Sequence, residues 1–298
     1  MSLFDGCYFA MQQAIAPVGE ARSDYAIYSA LAARLGYAER FTEGRSEMDW
    51  LRHLYAEARQ QAAQQQLTLP PFEALWEAGT VDVPRPEHPP VLFAAFRQDP
   101  DAHPLPTPSG RIEIFSETID RFGYDDCPGH ATWLEPAEWL GSTQTAQYPL
   151  HLLSNQPSAR LHSQLDCSTV SLQAKVADRE ALWLHPEDAA ARGIHDGEVV
   201  CVYNARGSCL AGTVVTTAIR PGVVQLATGA WFDPADPATL GSLDKHGNPN
   251  VLTLDKGTSK LGQCSSAQTT LVEVVWLTEP PPPLTAFTPP AMHVPSGA

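Results

Sequence analysis

The first part of the chain carries apolar residues at helical spacing. Between residues 21 and 36 they recur every three or four positions, and Gly36 can end a helix in the left-handed conformation. A second stretch follows Ser46, a suitable N-cap, and runs through Glu57 into the Gln-rich residues 60–66, which either continue the helix or fray. The two apolar faces are Tyr25, Ile27, Tyr28, Leu31, Ala32 and Leu35, and then Met48, Leu51, Leu54 and Tyr55. We therefore predict a helical region over residues 1–66.

A proline-rich region follows and breaks the helical pattern. Eight prolines lie between Pro84 and Pro108, which argues against a regular element and favours an extended strap. Pro108 and Gly110 then predict a turn, and the alternation of apolar and polar residues over 111–116 predicts a short strand. Residues 67–147 are accordingly predicted to be a Pro-rich connecting region.

From residue 148 the pattern changes to short strands. Apolar runs predict strands at 148–153, 182–184, 198–203, 210–215, 223–227 and 269–276. Gly-containing turns separate most of them, and one short helix intervenes, with Pro186 suited to its first position and Gly193 to its end. This spacing predicts a closed β-barrel rather than a parallel sheet over residues 148–276. The proline-rich residues 277–298 are predicted to be a tail, disordered or draped, and the fold class is α+β.

The composition indicates a globular chain and limits the kinds of partner that it can bind. The 298 residues, 43% of them hydrophobic, suffice for a sizeable core in about two domains. Net charge is −15, from 34 acidic against 19 basic residues, which argues against a nucleic-acid surface and leaves room for one local anion pocket. No run approaches the roughly 18 apolar residues of a membrane span, and residues 1–6 lack the features of a signal peptide. We therefore expect no nucleic acid and no membrane span.

The cysteines and acidic residues form no recognisable metal or catalytic motif. The six cysteines are scattered without a C-x-x-C pair, so buried free thiols are a simpler interpretation than a zinc or iron–sulfur site. Cys127 and His130 have metal-like spacing but lie in a turn without a second ligand pair nearby. Asp125, Asp126 and Asp233 are given no catalytic role, because nothing in the sequence brings them together.

The loop over residues 154–168 is dense in polar side chains and follows a predicted strand. These side chains include Asn155, Gln156, Arg160, His162, Ser163 and Gln164. Binding residues concentrate in loops that a rigid sheet supports, so this loop is a candidate site. Runs of Ser, Asn and Pro also form turns that bond their own backbone, and that alternative stays open on the loop alone.

Several segments, in order along nearly the whole chain up to Trp276, resemble one enzyme family. They are Glu20-Ala-Arg-Ser-Asp-Tyr with Leu31-Ala-Ala-Arg-Leu-Gly, Thr107-Pro-Ser-Gly-Arg-Ile-Glu-Ile-Phe-Ser, Gly123-Tyr-Asp-Asp-Cys-Pro-Gly-His, Arg160-Leu-His-Ser-Gln, Gly229-Ala-Trp-Phe-Asp-Pro, Gly247-Asn-Pro-Asn-Val-Leu-Thr and Gly257-Thr-Ser. Together they are similar to the C-terminal part of the molybdopterin-dependent oxidoreductases of the dimethyl sulfoxide reductase family, in the branch of the biotin sulfoxide and trimethylamine N-oxide reductases.

The resemblance implies that this sequence is a C-terminal fragment. Family members are much longer, and the N-terminal portion that supplies the protein ligand to molybdenum has no counterpart here. Residues 1–66 would then be a helical remnant of the catalytic region, and Met1-Ser-Leu the leader of an expressed or truncated chain. Residues 148–276 would form a double-psi β-barrel that binds molybdopterin dinucleotide.

The resemblance also gives the polar loop a role. The cofactor it implies is bis-molybdopterin guanine dinucleotide with molybdenum, which needs donors for phosphate, guanine and pterin edges. Arg160 suits a pyrophosphate or a pterin edge, and His162 and Gln164, with Ser163 between them, face the pterin. Ser154, Asn155 and Gln156 suit a guanine or a ribose in the same scheme. These assignments rest on the resemblance and not on spacing.

Two further segments join the same pocket by this resemblance. Trp231 would wall the pterin, although an aromatic residue after a strand is also an ordinary core residue. Asn248 and Asn250 would expose their amides beside Pro249, or else bond their own turn. Ser259 and Gln263, with Thr258, would donate hydrogen bonds to the cofactor at a point where Gly257 allows it to approach the backbone closely. The predicted site is therefore a cofactor-binding site without a catalytic residue or a metal ligand of its own.

The function implied for the intact enzyme is reduction of an S-oxide or N-oxide, such as biotin sulfoxide, methionine sulfoxide, dimethyl sulfoxide or trimethylamine N-oxide. Its partners would be that substrate, the missing N-terminal part and an electron donor protein. A cytoplasmic location is expected, and a periplasmic one if the precursor carries a twin-arginine signal. The alternative is a non-catalytic barrel that acts as a structural or interaction module, since this barrel fold serves unrelated functions.

Overall fold

The computed structural model describes residues 6–64, 66–83, 91–266 and 268–289. The chain forms two compact units, Met1–Ile112 and Glu113–Ala298. The boundary falls inside the predicted connecting region, and the finer division into four regions stays a prediction. No helix among the described residues is long and apolar enough to cross a membrane.

The first unit is helical, with one small antiparallel hairpin. Strand β1 (Cys7–Phe9) pairs with β2 (Thr80–Asp82). The helices are α1 (Asp24–Arg34), α2 (Ala38–Thr42), α3 (Glu47–Gln64), α4 (Phe72–Ala78) and α5 (Ala94–Gln98). Tyr55, Leu69 and Leu75 form its buried core, with Phe72 packed against it. The two predicted helices are present as α1 and α3, while the bounds 1–66 of the helical region stay a prediction.

Local chemistry accounts for the helix ends. The Oγ of Ser23 accepts the Ala26 N–H and caps α1. At the start of α3, Ser46 Oγ accepts the Asp49 N–H while the Asp49 carboxylate accepts the Ser46 N–H, which is a capping box. Helix α3 continues to Gln64, so the Gln-rich run extends the helix up to that residue.

Two expectations for residues 84–116 were wrong. Residues 94–98 form α5, so the region is not uniformly extended; residues 84–90 lie outside the described part of the chain. Residues 111–116 form no strand, although all six are described. Phe115 makes a single isolated bridge to His130, and Ser116 instead caps α6 (Glu117–Asp120). An alternating pattern becomes a strand only where a partner strand runs beside it.

The predicted barrel is confirmed. Its strands are β3 (Leu150–Leu153), β4 (Ala181–Leu184), β5 (Val199–Tyr203), β6 (Ser208–Val215), β7 (Val223–Leu226) and β8 (Thr270–Trp276). They close in the order β3-β7-β4-β6-β5-β8, with β8 pairing back to β3. The pairs β3/β7 and β4/β6 are parallel, and the other four are antiparallel.

Alternation along each strand builds the barrel core. The inward positions are Leu150, Leu152, Leu182, Leu184, Val200, Val202, Val224, Leu226, Val272 and Val274. Each is at most 1% exposed, and burying one such side chain contributes about 1.5–3 kcal/mol. Two short helices flank the strands, α7 (Thr169–Gln173) and α8 (Pro186–Ala190), the latter with Pro186 at its first position as predicted. This rigid core supports the loops that carry the candidate site.

The described part of the tail, residues 277–289, is draped on the second unit. The Pro282 carbonyl accepts from Arg179 (2.9 Å) and the Pro283 carbonyl from Lys245 (3.1 Å). Thr285 donates its N–H and its hydroxyl to the Asp233 carboxylate. Of the two states predicted for the tail, the draped one is therefore present here, while residues 290–298 lie outside the described part.

Candidate functional site

A pocket of about 400 Å³ lies where three loops of the barrel unit meet. Its lining residues are His162, Ser163, Thr228, Gly229, Ala230, Trp231, Phe232, Asn248 and Asn250. Five of the twelve residues predicted from the sequence are among them, from the loop after β3, the segment after β7 and the turn before the 3₁₀ helix Pro249–Val251. The fold therefore joins three segments that are distant in sequence.

Close backbone packing holds two of these loops together. Gly229 has φ +95°, and a Cβ there would lie 1.9 Å from the His162 carbonyl oxygen. Any other residue would therefore both strain the backbone and collide with the loop. One residue earlier, the Thr228 N–H donates to the Asn155 carbonyl at 2.9 Å.

Arg160 lies beneath the pocket rather than in it. Its side chain is only 1% exposed. The guanidinium donates to the carbonyl oxygens of His162 (3.2 Å) and Thr228 (3.0 Å), to Glu180 Oε2 (2.9 Å) and to Ser171 Oγ (3.2 Å). Direct contact between Arg160 and the cofactor stays a prediction. The geometry instead shows Arg160 holding the two backbone segments that line the pocket.

Arg160 belongs to a buried cluster of four charged residues. Lys175 Nζ lies 2.9 Å from Asp166 Oδ1 and 3.1 Å from Glu180 Oε2, and all four side chains are at most 7% exposed. Burial by itself raises the pKa of Asp166. Hydrogen bonds from Lys175 and the Trp231 N–H, with the charges of Lys175 and Arg160, outweigh it and hold that pKa below its ordinary value. Two cations therefore balance two anions inside the fold.

Trp231 forms a wall of the pocket and is fixed by several contacts. Its indole N–H donates to the Ser163 carbonyl (2.8 Å), and its backbone N–H donates to Asp166 Oδ2 (3.0 Å). Its ring meets Phe287 edge to face at 5.4 Å between centroids. The residue is 37% exposed and lines the pocket, so it is not a buried core residue, and its contact with a pterin stays a prediction.

His246 supports Trp231 from the buried side. Its Nδ1 lies 3.0 Å from the Trp231 carbonyl oxygen, so Nδ1 carries the proton. Burial, and after it the charge of Lys175, lowers the pKa of this imidazole. His246 Nε2 is buried and has no hydrogen-bond partner among the described residues. The residue is therefore neutral near pH 7 and serves as a donor to the wall.

The other predicted residues of the loop shape it without lining the pocket. The Gln156 side chain contacts His162 twice. Gln156 Nε2 lies 2.8 Å from His162 Nδ1, and Gln156 Oε1 accepts the backbone N–H of His162. The Gln268 side chain pairs with both backbone groups of Ser154. Gln164 is exposed on the loop surface. Asn155 Oδ1 is buried and lacks a partner within the described residues.

The two asparagines form a turn beside the pocket, and their contact with a ligand stays a prediction. Asn248 Oδ1 accepts the Asn250 N–H at 3.0 Å, as the turn alternative required, and both residues also line the pocket. Asp244 anchors this turn, because its Oδ2 accepts the N–H groups of His246, Gly247 and Asn248. Burial raises the pKa of Asp244 despite these bonds.

Ser259 and Gln263 do not line this pocket. Ser259 Oγ accepts the Gly262 N–H (2.7 Å), and Gln263 Nε2 donates to the Ser259 carbonyl (3.1 Å). Their turn is held by Lys260, whose N–H and Nζ bind Asp126 and Asp125. A separate cavity of about 340 Å³ lies beside it and includes Gly257 and Thr258. Their role toward a cofactor stays a prediction.

Sequence reasoning missed the residues that hold the pocket from below. They are Asp166, Lys175, Glu180, Asp244 and His246. None belongs to a recognisable motif, and they share no signal in the sequence beyond being charged or polar. These residues come together only when the barrel closes, and the periodicity of the sequence does not show which residues then meet.

Comparison with known proteins agrees with this geometry. Residues 150–271 match the family described as "Molydopterin dinucleotide binding domain", a range that contains all nine lining residues. The barrel is therefore a molydopterin dinucleotide-binding domain. A dimethyl sulfoxide/trimethylamine N-oxide reductase of Cereibacter sphaeroides is 48% identical over 93% of the chain, which spans 34% of that protein. A biotin sulfoxide reductase of the same organism is 51% identical over 89% of the chain and 35% of its own length.

A further relative and a solved structure extend the comparison. A trimethylamine-N-oxide reductase of Salmonella typhi is 46% identical over 96% of the chain and 34% of its own length. The chain thus spans about a third of these relatives and matches their C-terminal part. Acetylene hydratase from Pelobacter acetylenicus shares the fold, with a TM-score of 0.66 and 18% identity over 91% of this chain.

The family match and the relatives indicate a molybdopterin guanine dinucleotide cofactor with molybdenum. The pocket suits part of such a group. Trp231 offers a flat wall, Asn248 and Asn250 offer amides, and Asn155 Oδ1 is a buried acceptor without a partner among the described residues. The residues present therefore fit the dinucleotide.

Proposed function

We propose that this chain is the cofactor-holding C-terminal part of a molybdenum enzyme that reduces S-oxides or N-oxides. The relatives named above are reductases of such compounds, and the chain matches their C-terminal third. The observation that carries the proposal is the pocket, because its walls come from three segments of the matched domain and include five residues expected to contact a dinucleotide.

The pocket is equipped to bind and not to react. Among its lining residues, His162 is the one acid or base, so the lining contains no acid–base pair. When bound, the molybdenum cofactor supplies the two-electron chemistry. The protein groups that would hold it are Trp231, whose indole offers a flat surface to a ring, and Asn248 and Asn250, whose amides would bond its polar edges.

The substrate and the partners follow from the relatives as proposals. The candidate substrates are biotin sulfoxide, methionine sulfoxide, dimethyl sulfoxide and trimethylamine N-oxide. The remainder of the enzyme is the first partner, and the half-exposed apolar face of α1, with Tyr28, Leu31 and Leu35, is suited to packing against it. An electron donor protein is the second partner. We also propose a cytoplasmic location, since the described residues, which include all six cysteines, form no disulfide.

Calorimetric titration of the chain with guanosine diphosphate, a fragment of the dinucleotide, tests the binding role. We expect saturable binding that Trp231→Ala and Asn250→Ala each weaken by roughly tenfold, the effect of one good contact. Leu240→Ala is the control, because the Leu240 side chain is fully exposed and does not line the pocket. The titration should be repeated with the released molybdopterin dinucleotide.

Two outcomes would count against the proposal. Absence of binding by a folded sample, with both probes, would favour the alternative in which the barrel is a structural or interaction module. Equal weakening by Leu240→Ala and Trp231→Ala would mean that the ligand binds elsewhere. A location outside the cytoplasm, seen by fractionation of cells that produce the full enzyme, would refute the localisation separately.

A further inference from the structure

We propose that Asp166 is a positioning residue, which fixes Trp231 as the rigid wall of the pocket through its backbone N–H. The inference rests on the proposed function in one respect only, namely that the wall contacts a dinucleotide. Asp166 itself does not line the pocket, since its side chain is fully buried.

The two oxygens of Asp166 act on different structures. Oδ1 belongs to the charged cluster, where it accepts from Lys175 Nζ (2.9 Å) and Ser171 Oγ (3.0 Å) and lies 3.4 Å from Arg160 Nε. Oδ2 reaches the pocket wall and accepts the Trp231 N–H at 3.0 Å. One carboxylate therefore joins the cluster to the wall.

Burial and charge make this contact a strong one. A hydrogen bond to an ionised acceptor is about twice as strong as a neutral one. Asp166 is 0% exposed, so water does not compete for Oδ2. Lys175 and Arg160 keep the group ionised inside the fold. Trp231 is thereby held at its backbone, while the Ser163 carbonyl holds its indole N–H. With both ends fixed, the ring keeps one orientation.

Glu180 provides a control within the same cluster. Its Oε2 lies 2.9 Å from Arg160 Nη2 and 3.1 Å from Lys175 Nζ, so it pairs with the same two cations as Asp166. The described contacts of its carboxylate do not include Trp231. Loss of charge at Glu180 therefore disturbs the cluster in the same way, without removing the bond to the wall.

The experiment compares Asp166→Asn with Glu180→Gln in the full chain. Selective ¹⁵N labelling of tryptophan gives few resonances, because the chain has seven tryptophans, and Trp231→Phe assigns the wall residue. We expect Asp166→Asn to shift the Trp231 amide resonance and to reduce its protection from hydrogen exchange by roughly tenfold, relative to other core amides. Glu180→Gln should lower the melting temperature comparably and leave the Trp231 amide protected.

A second readout links positioning to binding. The dissociation constant for guanosine diphosphate should rise roughly tenfold in Asp166→Asn and change less in Glu180→Gln. If the wild type does not bind this probe while the amide result holds, the positioning stands and the proposed function fails for that ligand. An equal loss of Trp231 protection in both variants would overturn the inference. If Asp166→Asn does not fold, hydrogen exchange of the wild-type chain still tests the inference. A Trp231 amide that exchanges as fast as an exposed loop amide would refute its hydrogen bond to Asp166.

Discussion

Replacement of Arg160 by alanine tests the buried cluster most directly. The change removes hydrogen bonds to Glu180 and Ser171 and leaves the carbonyl oxygens of His162 and Thr228 without their cationic donor. It also leaves two buried carboxylates with only Lys175 as a cation. The site would carry one uncompensated negative charge, with too little solvent exposure for water to screen it.

The expected loss of stability is large. Removal of one partner from a buried ion pair costs about 3–5 kcal/mol. Each unsatisfied carbonyl would add about 1–3 kcal/mol if it stayed dry, although these contributions overlap because the groups share one network. Since domains are stable by only about 5–15 kcal/mol, Arg160→Ala should lose roughly a fifth or more of the total. With a urea slope of about 2–3 kcal/mol/M, the midpoint should fall by roughly 1–2.5 M.

Urea unfolding followed by circular dichroism would measure this change. Arg121→Ala is the matched control, because Arg121 pairs with Glu117 on the surface, both side chains are more than three-quarters exposed, and such pairs contribute little. The loss of stability in Arg160→Lys should lie between the losses in Arg160→Ala and Arg121→Ala, because lysine keeps the positive charge but lacks the several donors of the guanidinium. A loss below about 1 kcal/mol in Arg160→Ala, with an unchanged slope, would refute the view that this cluster is a tightly coupled unit.

Three further predictions concern the same pocket. Gly229→Ala should destabilise the chain and weaken guanosine diphosphate binding, because the new Cβ would collide with the His162 carbonyl at positive φ; an unchanged melting temperature would contradict this. The pKa of Asp166 is lower in the folded chain than its ordinary value of 3.8, so its ionised form contributes stability above pH 3.8. That contribution is lost as the pH falls through the folded pKa. The urea midpoint should therefore decrease when the pH is lowered below about 4, and it should decrease less steeply in Asp166→Asn. Phe287→Ala should loosen the indole of Trp231, seen as faster exchange of its indole proton, with little change in global melting; full retention of protection would show that the tail does not support the wall.

The site illustrates which functional residues a sequence can reveal. His162, Trp231 and Asn250 were predicted from segments that resemble a family, and the pocket contains all three. Ser259 and Gln263 were predicted in the same way and lie in a separate turn. Shared segments identify residues that matter to a family without stating which of them meet. That information depends on the path of the chain between them.

The sequence by itself determined the local structure of this protein. Strand alternation, the turns and the helix caps depend on residues within a few positions of each other, so they could be predicted without the fold. The sequence could also indicate the barrel, because short strands at regular spacing have few ways to bury their apolar faces. The same reasoning failed at residues 111–116, where the alternation was present and a partner strand was not.

Only the tertiary structure decided the parts that depend on distant contacts. It placed Asp166, Lys175 and Glu180 in one buried cluster, and it gave Arg160 hydrogen bonds to two backbone carbonyls of the pocket lining that the sequence did not predict. It also brought Phe287, from the tail, against the pocket wall. The free energy of a buried charge depends on every group around it, and those groups come together only when the barrel closes.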